Sequence, residues 1–341
     1  MISDNHRLDE TKLARYLEDR IAGFKGPVVA SKFSNGQSNP TFLLKAQSGT
    51  YVLRRQPSGQ LLKSAHAVDR EFRVLVALSD TNVPVARAIH LCEDREVIGS
   101  MFYVMSFEQG RIFWDPALPE LGSGQRAAIY DAILTTLVAL HKVDVEAVGL
   151  ADYGRTGNYF ERQISMWTKQ YRSSETGNLA AMEALIEWLP AHCPVDEGRP
   201  SLVHGDFRLD NLIFHLQETR IIAILDWELS TLGNPLADLA YFCMCLRLPR
   251  SGHISGLMDQ NRSELGVPEE EAIVDKYCDL VGIPAIPNWH FYLAISFFRL
   301  AAIAQGVKRR ALDNNASSAN ASQVGDMAGP LAQMAVDLIQ E

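Results

Sequence analysis

The chain has 341 residues, 47% apolar, 21% charged and 9% aromatic, a composition that excludes disordered and fibrous classes and, at ~100 to 200 residues per domain, allows two domains. Its 32 Lys and Arg against 41 Asp and Glu give a formal charge of 32 - 41 = -9. That sign excludes a protein whose affinity comes from neutralising a phosphate backbone, so nucleic acid is not an expected partner.

The N-terminal MISDNHRLDE lacks a basic stretch followed by an apolar run, so no secretory signal is expected and the expected location is cytoplasmic. Residues 8–24 place Leu8, Leu13, Leu17 and Ile21 at helical spacing with charges between them, which predicts an amphipathic helix. The period then changes. Residues 27–33, 40–46 and 51–55 are short apolar or alternating runs, the last two joined by Ser48-Gly49, and they predict three antiparallel strands. Residues 65–79 return to the helical period, and 88–92 and 101–107 read as strands across Glu93-Asp94-Arg95.

Beyond the connector 106–110 the pattern is helical, at 122–142, 157–172, 178–189, 235–247, 269–281, 288–310 and 325–340, with one strand pair, 201–216 and 220–225, set among the helices. The expected organisation is an α+β, bilobal chain with a cleft. Residues 1–105 form an antiparallel five-stranded sheet with one helix, 106–110 a hinge, and 111–341 a mainly helical lobe carrying a polar hairpin. The longest apolar segment, 292–304, is interrupted by Arg299 and falls short of the ~18 to 20 residues of a spanning helix, so no membrane partner is expected. Residues 311–324 are small and polar and read as a surface loop. Five scattered cysteines without CxxC pairs (Cys92, Cys193, Cys243, Cys245, Cys278) are expected to be reduced and mostly buried.

The densest chemistry lies in LVHGDFRLDNLIF (202–214) and IIAILDWE (221–228). Asp206, an amide five residues later at Asn211, and Asp226 after the next apolar run would converge at one end of a strand pair. Mg²⁺ takes oxygen ligands from one or two carboxylates, an amide and phosphates, and a separate carboxylate must receive or orient an attacking hydroxyl. His-Gly-Asp alone is as readily a turn around a satisfied buried histidine; the full set is not a packing pattern.

Periodicity adds a second pairing. Glu71 lies on the apolar stripe of helix 65–79 with Val68, Phe72 and Leu75, and a carboxylate buried there needs a cation. Arg54, which alternation places on one strand face with Val52, is the available partner. A Glu71 at the stripe's edge, reaching solvent, is the plainer alternative.

HGDFRLDN (204–211) and ILDWE (224–228) resemble the aminoglycoside phosphotransferase and choline kinase superfamily, the small-molecule branch of the protein-kinase-like fold, over residues 25–310. FSNGQSNPTFLL (33–44), YVLRRQPSG (51–59), DREF (69–72) and STLGNPLADLAY (230–241) are similar to the subgroup that includes the kinase-like domain fused ahead of acyl-CoA dehydrogenase domains in some eukaryotic proteins. Only that kinase-like part is matched, so dehydrogenase chemistry is not expected of this chain. The resemblance implies ATP and Mg²⁺ as cofactors, Asp206 as catalytic carboxylate, and Asn211 and Asp226 as metal ligands. It implies that the loop 34–39, with Gly36 and Ser38, covers phosphates and that Ser106 and Phe107 belong to an adenine-binding hinge. It also implies that Arg54 stands where the family has lysine, held by Glu71, with Arg55 and Lys45 as alternative cations. His204 and Asp238 are expected to brace the catalytic hairpin.

The expected function is phosphoryl transfer to the hydroxyl of a small-molecule substrate. The rival readings are a catalytically impaired nucleotide-binding module, an aminoglycoside-type antibiotic kinase, and a metal-dependent hydrolase using His204, Asp206 and Asp226. Trp167, Trp289, Tyr292 and Arg299 are candidates for an acceptor pocket, with core packing the stronger reading of each. The sparse acids near Trp289, His290, Tyr292, Phe297, Phe298, Arg299 and Lys308-Arg309-Arg310, with the resemblance, favour a hydroxyacyl thioester such as a hydroxyacyl-CoA over a polycation. Self-association would be as a homodimer.

Overall fold

The computed structural model describes residues 8–33, 39–57, 67–155, 157–195, 200–250, 254–313 and 321–340. It divides into two compact units, one of residues 1–111, 148–150 and 212–229 and the other of 112–147, 151–211 and 230–341.

The first unit is built on an antiparallel sheet of β1 (Val29–Lys32), β2 (Thr41–Ala46), β3 (Gly49–Arg55), β4 (Ala88–Cys92) and β5 (Phe102–Ser106), in the order β1-β2-β3-β5-β4. Helix α1 (Glu10–Arg20) starts at Asp9, whose side chain accepts the Lys12 N–H at 2.9 Å, a capping bond that satisfies an otherwise orphaned donor. Its buried Leu13 and Leu17 pack with Phe42, Leu44, Leu53, Phe102 and Val104 into one core cluster, which the alternation of β2 and β3 supplies from one sheet face. Helix α2 (Val68–Leu78) buries Val68, Glu71, Val74, Leu75 and Leu78, a helical stripe with a carboxylate inside it. Predicted Phe72 is instead half-buried, its ring 5.9 Å from that of Tyr103.

The second unit holds α3 (Ser123–His141), α4 (Tyr159–Ser174), α5 (Ala180–Ala191), α6 (Leu236–Leu246), α7 (Arg262–Leu265), α8 (Glu270–Val281), α9 (Trp289–Leu312), α10 (Ala321–Asp326) and α11 (Ala328–Gln340). Helix α9 is the centre against which α4, α5, α6, α10 and α11 pack. By length and composition its 24 residues could cross a membrane, contrary to the expectation drawn from 292–304, but 72% of its apolar window is buried inside the protein. It is apolar all round because it is a core helix.

The predicted strand pair 201–216 and 220–225 is two separate ladders. β6 (Ser201–Val203) pairs with β9 (Thr231–Gly233) in the second unit, and β7 (Leu212–Phe214) pairs with β8 (Ile221–Ile224) in the first. The interruption has a local cause: Gly205 at φ +83° turns the chain and residues Leu209–Asn211 form a 3-10 turn, so 204–211 cannot continue a strand. The hairpin β7–β8 thus groups with the sheet-bearing unit, whereas the division at 111 placed it with the helices. Gly110 permits that grouping. A Cβ there would lie 2.3 Å from the Phe214 carbonyl oxygen and 2.4 Å from Ile213 Cγ2, and the next residue, Arg111, exchanges two backbone hydrogen bonds of 2.8 Å with Phe214.

Four cysteines are buried, Cys193 is half-buried, and none of the five is in a disulfide, as their scatter predicts. Gly36 and Ser38, in the loop 34–39 expected to cover phosphates, fall in the stretch 34–38 that lies outside the described residues.

Candidate active site

In the first unit the register of β3 with β2 and β5 sets Arg54 opposite Thr41 on one side and Tyr103 on the other. Its Nε lies 2.8 Å from Glu71 Oε2, and its Nη2 lies 2.6 Å from Asp226 Oδ1 and 3.5 Å from Glu228 Oε2. The pairing expected from periodicity is therefore present. Burial opposes the guanidinium's charge, but Glu71 and Asp226 hold it protonated well above its ordinary range. Glu71 is 1% exposed; besides Arg54 it accepts the Asn39 Nδ2–H at 2.7 Å and the Tyr103 O–H at 3.1 Å. Burial still pushes its carboxyl above the usual value, against the pull of Arg54 and both hydrogen bonds.

The alternative cations are elsewhere. Arg55 is buried on the opposite strand face, its guanidinium 5.7 Å from the Phe42 ring centroid and its Nη1 3.4 Å from the Ile98 carbonyl. Lys45 is exposed on β2. Asp226 has φ +64°, left-handed backbone that aspartate tolerates better than most residues but that still stores strain. The turn is locked by the buried Trp227, whose Nε1–H donates to the Ile224 carbonyl at 3.1 Å. At the end of β5, Ser106 accepts the Arg87 N–H on its Oγ at 2.8 Å and donates to a Glu108 carboxylate oxygen, while Phe107 is exposed.

Asp206 and Asn211 belong to the second unit. The loop that carries them hangs on Asp238, fully buried in the first turn of α6, whose two carboxylate oxygens accept the backbone N–H groups of His204 at 2.6 Å and Gly205 at 2.8 Å. The His141 ring lies 3.4 Å from Asp238 and is held by Tyr277 at 2.8 Å. His204 Nδ1 accepts the Asp206 N–H at 3.1 Å, so the histidine braces the loop, as expected of it.

Asn211 Nδ2 donates to the Asp206 carbonyl at 2.8 Å and to its Oδ2 at 3.1 Å. Arg208 lies 3.3 Å from Asp206 and 3.0 Å from Asp210. Burial alone would raise the Asp206 carboxyl; Arg208, Arg299, His204 and a hydrogen bond from Tyr241 outweigh it and hold the group below the usual aspartate range. An ionised carboxylate with two donors on one oxygen can orient or receive a hydroxyl proton.

The aromatic candidates are packing residues. Trp167 and Tyr292 are buried, Trp289 donates to Glu270 at 2.9 Å, and Arg299 sits over the rings of Tyr241 at 4.9 Å and Trp167 at 5.5 Å. Of the basic run at the end of α9, Lys308 pairs with Asp326 and Arg309 with Asp313. This helix therefore presents no aromatic acceptor face.

The profile of the phosphotransferase enzyme family, APH, matches residues 29–272. The chain belongs to the APH phosphotransferase family. Among similar proteins, acyl-CoA dehydrogenase family member 10 of Mus musculus is 48% identical over 332 residues, 97% of this chain and 31% of that protein, so this phosphotransferase chain spans about a third of that relative. A crystal structure of a candidate aminoglycoside phosphotransferase from Ralstonia eutropha is 45% identical, with a TM-score of 0.89 over 98% of this chain and 99% of that one. The structure of an aminoglycoside phosphotransferase APH(4)-Ia variant with AMP-PNP and hygromycin B shares the fold at a TM-score of 0.63 and 16% identity, covering 96% and 98% of the two chains. The APH phosphotransferase described here thus has an α+β, protein-kinase-like fold, as its HGDFRLDN and ILDWE segments imply.

Sequence reasoning missed the bonds of Asn39 and Tyr103 to Glu71, the contact of Glu228 with Arg54, and Tyr241 beside Asp206; Arg299 was a candidate only for an acceptor pocket. Asn39 had a signal in its place directly before Pro40 and a strand; Tyr103 had none, because strand register is not local. If Arg54 and Glu71 act as one unit on the nucleotide, Arg54→Ala and Glu71→Ala should each weaken ATP binding and the double mutant should lose little more, with a coupling of ~0.5 to 3 kcal/mol in a mutant cycle measured by calorimetry. Strictly additive losses would separate the two residues.

Proposed function

We propose that this protein is an ATP- and Mg²⁺-dependent phosphotransferase acting on the hydroxyl of a small molecule, with a hydroxyacyl thioester as the leading acceptor. The observation that carries the reading is Asp206 itself: a carboxylate kept ionised, on a loop hung from a buried aspartate, with an amide five residues on. A module that only bound nucleotide would have no use for it. AMP-PNP in the APH(4)-Ia complex supports ATP as donor, and the name of the 48% identical relative supports an acyl-bearing acceptor.

The donor set fits Mg²⁺, a hard cation that takes oxygen ligands. Asp226 offers a carboxylate, and the two bonds made by Asn211 Nδ2 leave its amide oxygen as the acceptor atom. Bound there, Mg²⁺ would neutralise charge on the phosphates. The chain's own residues do the rest. Arg54, steadied by Glu71, lends charge to the phosphate oxygens, and its planar fork suits bidentate contact. Ser106 and Phe107 lie on the segment whose backbone would meet adenine. Asp206 orients the acceptor hydroxyl. Its oxygen bonds to the γ-phosphorus, the bond to the β,γ-bridging oxygen breaks to release ADP, and the hydroxyl proton passes to Asp206 and then to solvent.

ATP consumption measured side by side with hydroxyacyl-CoAs, choline and kanamycin-type aminoglycosides, read by the mass gain of one phosphoryl group, tests the acceptor. Robust turnover of an aminoglycoside with none of any thioester would overturn it. Asp226→Ala should make nucleotide affinity nearly insensitive to Mg²⁺ in titrations with and without the metal; an unchanged Mg²⁺ dependence would remove Asp226 from the ligand set.

A further inference from the structure

A cavity of about 210 Å³ in the second unit is lined by Trp114, Leu209, Phe242, Cys245, Leu246 and Ile254, with Arg208 and Asp210 as its charged wall. Arg208, Leu209 and Asp210 follow Asp206 by two to four residues, and Arg208 Nε is 3.3 Å from the Asp206 carboxylate. The cavity is therefore walled in part by the loop that carries Asp206.

Two features select what can fill it. The first is charge. Asp210 already faces Arg208 at 3.0 Å, and Asp115, between the lining residues Trp114 and Pro116, faces Arg250 at 2.7 Å. A polycation would find both carboxylates compensated by arginine. The second is size. At about 210 Å³ the cavity is below the ~300 to 1,000 Å³ that encloses a whole drug-sized ligand, a size for one arm of a molecule rather than the whole. Trp114, a lining side chain, is 56% exposed, an apolar surface that a bound aliphatic arm would cover.

We propose that this cavity takes the aliphatic arm of the acceptor alcohol and sets its chain-length preference, with Trp114 and Ile254 as the size-determining residues. The inference rests on the phosphotransferase reading given above and narrows its acceptor to an alcohol with an apolar chain.

The test is kcat/KM of the full chain for short-, medium- and long-chain hydroxyacyl-CoA thioesters. Ile254→Trp fills the cavity and should shift preference to shorter chains, by ~10-fold or more in the ratio of medium to short, the scale on which an apolar pocket resolves a methylene. Trp114→Ala, at an exposed position that folding should tolerate, widens it and should shift preference to longer chains. If thioesters are phosphorylated but both variants keep the wild-type profile, the cavity does not hold the chain and the inference falls while the function stands. If the wild type phosphorylates no thioester of any length but does phosphorylate compact polar alcohols, the acceptor reading falls and this inference with it.

Discussion

Asp206→Asn should leave ATP binding intact and lower phosphoryl transfer by roughly 10² to 10⁴, the usual scale of a general acid-base contribution. Asparagine keeps the shape and can still meet Asn211 and Arg208, whose bonds to the Asp206 side chain are 3.1 and 3.3 Å, but it cannot accept the hydroxyl proton. A kcat within threefold of wild type would remove the role assigned to this carboxylate. The pH dependence follows with a definite sign. The folded-state value of Asp206 is depressed below the usual aspartate range, near 3.9 in unfolded chains, so the group is ionised throughout the neutral range. The stability gained from ionising it is present above the unfolded value and is lost only as pH falls through the folded one. No acid limb assignable to Asp206 should therefore appear in kcat/KM between about pH 5 and 8. A limb near neutrality that vanishes in Asp206→Asn would contradict the electrostatics described.

The second large effect is structural. Asp238→Ala should destabilise the protein by ~2 to 6 kcal/mol, because the N–H groups of His204 and Gly205, which now donate to its carboxylate, would each be left buried and unpaired at ~1 to 3 kcal/mol. Urea denaturation measures it. Activity should fall beyond the loss of folded protein, since the same two bonds position Asp206 one residue later. Asp238→Asn separates the two effects: it keeps one acceptor, so it should recover part of the stability and less of the activity. A change below ~0.5 kcal/mol in Asp238→Ala, the range of an ordinary surface substitution, would show that the loop does not hang on this residue.

Legibility differed between the two groups of candidate residues for a physical reason. His204, Asp206 and Asn211 sit within eight consecutive residues, and their bonds to one another span two to five positions, so a string of letters can show them together. The pairing of Arg54 with Glu71 is not local, yet it too was legible, because a carboxylate at the centre of an apolar helical stripe demands a cation. The seat of Arg54 on Asp226, 172 positions away, was not legible: nothing in either segment states the distance between them. In α9 core packing, the stronger reading of its aromatics, is what the structure shows, and Phe291, Phe297 and Phe298 are fully buried. A helix wrapped on all sides by other helices has apolar residues all round, and its sequence looks the same whether those faces meet protein or a ligand.

By itself the amino-acid sequence determined the order and type of nearly every element, because helical and strand periods are local properties of side-chain burial. It also determined the family, through motifs whose spacing is short. Tertiary structure alone decided that the stretch after Ser201 feeds two ladders rather than one. It alone decided that β7 and β8 belong with the sheet, that Tyr103 and Asn39 complete the shell of Glu71, and that Trp114 and Ile254 line a cavity beside the loop of Arg208 and Asp210. Each of these depends on register or on packing between segments far apart in the chain, and a one-residue shift in register would reverse which face every side chain meets.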